Sequence, residues 1–244
     1  MLNVDWFQPY KHTQSSVGAL YLAIMNLPYD QRFKRENVIL LGIIPGPSEP
    51  PRDINQYLRP LVKELQELNT GVMMTVHGRQ ELQMVRCALI GVPCDMPAGR
   101  KACGFLSHSA LLGCTKCHKI FPGSVGNKDY SGFDRNNWRA RTNEDHRSKI
   151  DKIIAARNKT ERNKLESEFG CRYTVLLQLP YFDPTRMLII DPMHNLFLGT
   201  AKRMKSIWIN GAQPLLTPAQ IQIMQDSICI VVIYENNQKL YTGP

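Results

Sequence analysis

The sequence predicts an α/β fold: a mixed sheet with flanking helices, followed by a mainly helical region. Three observations carry this. Two apolar runs rich in branched residues, GALYLAIMNL (18–27) and ENVILLGIIPG (36–46), are closed by Pro or Gly and read as strands. A stripe at helical spacing follows, through Ile54, Tyr57, Leu58, Leu61, Val62, Leu65 and Leu68. Beyond residue 98 the composition turns polar, charged and cysteine-bearing.

Taken in order, LNVDWFQPY is a strand with Asp5 inside it, and a core strand this close to the first residue marks the chain as a fragment. PYDQRFKRE is a polar turn between the two apolar strands. PGPSEPP (45–51) is a stiff connector, and Asp53 after it suits a helix N-cap. Pro60 either kinks that helix or moves its first turn to near Arg59. GVMMTV and QMVRCALIGVPCD are strands around the turn HGRQ, the second ending in Asp95. One charged helix is expected from about Thr142 to Phe169, stopping at Gly170, with its charges forming a solvated face. Met193, Leu196, Phe197, Thr200, Met204, Ile207 and Trp208 suit one face of a helix beginning near Asp191. TPAQ (217–220) starts another, and ICIVVIYENNQKLYTGP would be a strand.

Length and composition bound the function. At 244 residues and 43% hydrophobic, the chain can bury a core of one large domain or two small ones. Thirty Lys and Arg against twenty-one Asp and Glu give a formal charge of +9, which favours polyanionic partners and makes nucleic acid the leading class. No apolar run reaches the roughly eighteen to twenty residues of a membrane span, and the start carries no signal-peptide pattern. Seven scattered cysteines do not form a secreted disulfide framework and suit a reducing, intracellular setting.

Three constellations could carry chemistry. Asp5 and Asp95 are acids in or at the end of strands, where packing has no use for a carboxylate. Brought side by side, such acids hold the Mg²⁺ pair of a phosphoryl or nucleotidyl transferase; apart, each is a solvated or capping strand end. Cys114 and Cys117 form a CxxC in a turn, which argues against a thioredoxin-like pair. Structural zinc needs two further ligands, and spacing does not choose among His146, His108, Cys103, Cys171 and His194; two unpaired cysteines are the alternative. Asp191 and His194, spaced DxxH at a helix start, either orient one another near a metal or phosphate or act as a plain cap and a half-buried imidazole.

Together these stretches resemble the transposases of CACTA-type (En/Spm) DNA transposons in their animal variant. VDWFQPY is similar to that family's first-acid motif, and ENVILLGIIPGPSEPPRDINQYLRPLVKELQEL to its strand, proline connector and helix. GVPCDMPAGRKACGFLSHSALLGCTKC resembles the second acid and the CxxC, and LPYFDPTRMLIIDPMHNLFLGTAKRM the DxMH motif. The likeness runs from about residue 1 to 225. It implies a partial RNase H-like catalytic core over 1–98 carrying the first two acids. A zinc-stabilised, mainly helical insertion region over 99–226 and a divergent tail over 227–244 complete the chain. It further implies Asp5 and Asp95 as ligands of catalytic Mg²⁺ or Mn²⁺, and Cys114 and Cys117 as structural Zn²⁺ ligands; of the remaining donors, His146 is taken as their companion. Asp191 and His194 are the family's DxxH element, of unassigned role.

Its third acid, a Glu on a later helix, has no counterpart; Glu235 sits in a strand-like stretch unlike the family. The expectation is therefore a fragment of a DDE-type DNA transposase, inactive alone, acting on transposon ends and target DNA in the nucleus, with a homo-oligomer in the full-length protein. The competing expectation is a non-catalytic, zinc-stabilised module that binds DNA or protein.

Overall fold

The computed structural model describes residues 1–9, 16–46, 53–124, 127–131, 138–210 and 214–227. It divides into two units, Met1–Asp191 and Pro192–Pro244.

The first unit is mixed α/β. Strand β1 (Leu2–Phe7) pairs antiparallel with β2 (Val17–Ala23), which pairs antiparallel with β3 (Val38–Ile44); a short helix α1 (Tyr29–Arg32) fills the turn between the last two. Helix α2 (Asn55–Thr70) follows. Its N-cap is Ile54 rather than the expected Asp53 and carries no side-chain cap bond; Asp53, one residue earlier, accepts the Asn55 N–H through Oδ1 at 2.8 Å. Pro60 lies inside the helix rather than at its start. The stripe read from the sequence is the buried face: Leu58, Leu61, Val62 and Leu65 share one core with Leu2, Val4, Leu20 and Ile44.

Two strands differ from expectation. QMVRCALIGVPCD breaks into β5 (Gln83–Val85), which folds back on β4 (Val72–Met74), and β6 (Val92–Cys94), which does not pair with that hairpin. Helix α3 (Met96–Cys103) starts directly after β6, with Asp95 as its N-cap and Pro97 in its first turn. It ends at Gly104, where a φ of 76° and the Arg172 carbonyl lying where a Cβ would stand both require glycine.

The chain then leaves the sheet for more than eighty residues. After a small hairpin of β7 (Gly123–Ser124) and β8 (Asn127–Lys128) come α4 (Asn143–Ile154) and α5 (Lys159–Phe169). The single charged helix of the sequence reading is thus two. The first ends at Ile154, and Asn158 caps the second, accepting the Glu161 N–H, while Glu161 Oε2 receives the N–H of the preceding Arg157. Gly170 closes α5 in a left-handed conformation, as expected. A short helix α6 (Pro184–Met187) leads into β9 (Leu188–Ile190).

β9 returns to lie parallel with β6, pairing Val92 with Leu188, Pro93 with Ile189 and Cys94 with Ile190. β1 lies on the other side of β6, joined by Leu2 N–H to Gly91 O at 3.0 Å and running in the same direction. Laterally the strands therefore run β3, β2, β1, β6, β9.

In the second unit, wide helical turns of π type (Met193–Ala201) pass into α7 (Lys202–Lys205) and a second π stretch (Ser206–Asn210). The helix begins at Met193 rather than Asp191. α8 (Pro218–Ser227) opens on the expected box, Thr217 N–H donating to Gln220 Oε1 and Gln220 N–H to Thr217 Oγ1. The expected tail strand and Glu235 lie outside the described residues. Among these residues no helix is long and apolar enough to cross a membrane.

Candidate functional site

Three acids stand at the same end of three neighbouring strands. Leu2 and Val4 of β1 are buried while Asp5 is exposed, as alternation along a strand demands. Asp95 and Asp191 each follow the last paired residue of β6 and β9, Cys94 and Ile190, so parallel register sets them side by side. Neighbouring strands run roughly 4.8 Å apart, which puts the three backbones within reach of one small site. The Cys94 thiol, buried beneath them, reports the same neighbourhood. Burial pushes its pKa up to about 12, against the Val4 N–H it accepts, and Asp95, Asp5 and Asp191 add to the push.

The side chains are not closed around a point. Asp95 Oδ1 accepts the Ala98 N–H at 2.8 Å, capping α3 and lying at that helix's positive end. Among the described residues no three His, Cys, Asp or Glu side chains are gathered to hold a metal ion. The donor set still suits a hard cation, being carboxylate oxygen only, and one Asp95 oxygen is left by the cap. His194 belongs to the second unit and is described with it.

The CxxC is a knuckle built around a guanidinium. Arg141, 6% exposed, donates through Nε to Cys114 O at 2.9 Å and to Cys117 O at 3.3 Å. Its other nitrogens reach Phe169 O at 3.2 Å and Leu112 O at 3.0 Å. The strand-like pairing of Cys117 with Ala140 brings Arg141 there. Lys116, between the cysteines, sends Nζ to Thr185 O and Leu188 O, both at 2.7 Å, tying the knuckle to the entry of β9. Lys116 thus holds the knuckle beside β9, while Arg141 holds the knuckle together and to the end of α5.

The two thiols hydrogen-bond each other, Cys114 half-buried and Cys117 buried. His146 is 1% exposed, stacked at a tilt on Phe105 with ring centroids 5.2 Å apart, and neither ring nitrogen has a hydrogen-bond partner. Such orphaned nitrogens are a feature that would welcome a metal. As arranged, though, the described residues do not close a four-ligand zinc site.

Burial, with Arg141 nearby, lowers the His146 pKa to about 4, so the fold holds it neutral. The unfolded imidazole titrates near 6.5; the stabilisation is complete above that pH and lost as pH falls toward 4. Stability of the metal-free chain is expected to drop by about 3 kcal/mol across that window. Denaturant melts at pH 7 and pH 4 check it: His146→Phe should remove the His146 share of the fall, and an unchanged pH profile in that variant refutes this account.

Sequence reading singled out Asp191 only as part of a DxxH pair and missed Arg141. Asp191 as a strand-end partner of Asp95 follows from a β6–β9 register that no local pattern announces. Arg141 draws its four acceptors from separate stretches of chain, and only its position in a polar run was visible.

Comparison with known proteins gives one match, at the level of the family. A model of the family described as transposase family tnp2 matches residues 1–149, more than half of the chain. No curated protein and no solved structure matches.

Proposed function

The chain belongs to the transposase family tnp2, and on that premise we propose that it carries the metal-dependent strand-cleavage and transfer site of a DDE-type DNA transposase of CACTA origin. Asp5 and Asp95 are the first two carboxylates, and Asp191 takes the place of the third. The observation that carries this is the stationing of the three acids at one end of β1, β6 and β9. The strand order, three antiparallel and then two parallel, supports an RNase H-like core.

Bound Mg²⁺ or Mn²⁺ would neutralise charge on the scissile phosphate and polarise the attacking and leaving oxygens. The protein's own work is to present carboxylate oxygens from a rigid sheet edge. Asp95 stays pinned to α3 through one oxygen, which fixes the other. The net charge of +9 suits a DNA partner, in the nucleus, and the full-length protein acts as an oligomer. Zinc at Cys114 and Cys117 belongs to the same proposal; atomic-absorption zinc content, with loss in Cys114→Ser, checks it.

Mn²⁺ is expected to raise the melting temperature in a concentration-dependent way, because it binds the folded state. Asp5→Asn should abolish that shift while leaving the metal-free melt unchanged, Asp5 being exposed. Equal Mn²⁺ response in the wild type and Asp5→Asn sinks the metal-site proposal. DNA affinity that survives loss of all three acids, with no nicking of supercoiled plasmid by the wild type, would leave only a binding module.

A further inference from the structure

The two strands that carry Asp5 and Asp95 are not joined by an ordinary ladder. After Leu2 N–H to Gly91 O, a parallel ladder would continue from the N–H of residue 93 to Leu2 O, then from Val4 N–H to the oxygen of residue 93. Residue 93 is proline and has no N–H, so the first of these cannot form. The second is replaced. Pro93 O instead receives Asn3 Nδ2 at 2.6 Å, and the Val4 N–H turns to Cys94 Sγ at 3.1 Å. Two side chains thus make the seam where backbone pairing fails.

Their position matters because Val4 and Cys94 directly precede Asp5 and Asp95. Whatever fixes the Val4–Cys94 separation also fixes the separation of the two carboxylate-bearing backbones. Cys94 Sγ holds the Val4 N–H at 3.1 Å, close to the 3.0 Å of the backbone bond at Leu2, and so takes over the carbonyl's place in the ladder. Asn3 supplies a second tie on the same strand. Val4 and Cys94 are buried, so the seam is shielded from competing water.

We propose that Asn3 and Cys94 are positioning residues that set the spacing of Asp5 and Asp95 for a shared divalent cation. This rests on the reading of those acids as metal ligands. Residues that orient metal ligands without touching the metal typically change affinity by 10–100-fold.

The test is Mn²⁺ affinity of the whole chain, read by electron paramagnetic resonance beside a thermal melt. Asn3→Ala and Cys94→Ala are expected to weaken Mn²⁺ binding about tenfold. Cys94→Ser, which keeps an acceptor at the same place, should stay within about threefold. Val62→Ala in α2, remote from the seam in sequence and buried in the core, provides the control for lost stability. It should lower the melting temperature and leave Mn²⁺ affinity as it was.

If the wild type binds Mn²⁺ through Asp5 and Asp95 but Asn3→Ala and Cys94→Ala bind as tightly, the positioning role is overturned and the acid site stands. The role is equally overturned if Val62→Ala weakens binding as much as they do. If the wild type binds no Mn²⁺ that depends on those acids, both readings fall together.

Discussion

Replacing Arg141 by methionine is expected to destabilise the first unit by about 3–5 kcal/mol, among the largest effects a single substitution can have here. Four carbonyls, of Leu112, Cys114, Cys117 and Phe169, would lose their donor at a buried to part-buried site. Each unmet bond costs roughly 1 kcal/mol. Arg141→Lys should rescue little, because an ammonium on a thin stem cannot reach acceptors on opposite sides of a planar fork. Urea titration measures the loss, and limited proteolysis should locate it at 112–118. A methionine variant as stable as the wild type would mean that something else holds the knuckle, with zinc the first suspect.

Asp95 separates structure from chemistry. Asp95→Asn keeps an oxygen for the Ala98 N–H, so the cap on α3 survives and stability should move by less than about 0.5 kcal/mol. Asp95→Ala removes the cap and should cost about 1 kcal/mol. Both lose the carboxylate, and both are expected to weaken Mn²⁺ binding about a hundredfold. Calorimetric titration alongside melts of the two variants reads these apart. Should Asp95→Asn bind Mn²⁺ like the wild type, the residue is a helix cap and nothing more.

That dual character explains how much the sequence disclosed. Asp95 was visible both as a strand-end acid and as a cap, and the structure realises the cap while leaving the chemistry to be tested. The stripe of α2, the stop at Gly170 and the box at Thr217 were legible because each is written within a few residues. The restart at Asn158 was equally local, in Asn-x-x-Glu, but the run of charges around it reads as one continuous solvated face.

What could not be read is what depends on register between distant segments. A third acid sought as a glutamate on a later helix pointed away from Asp191, whose partnership with Asp95 comes from pairing two three-residue strands ninety-six residues apart. The seam at Pro93 is hidden for the same reason: a proline in a short apolar run signals a missing donor, but not which neighbour must compensate.

The β6–β9 pair has a kinetic corollary. Its partners meet only after the long excursion between them has been closed, and pairings of such high sequence separation form late and slowly. The antiparallel sheet and α2 can assemble from neighbours along the chain, whereas Asp191 arrives with the last edge to dock. The contact that seats Asp95 beside Asp5 spans ninety residues as well, so competence to bind a cation should mature after the bulk of the hydrophobic collapse.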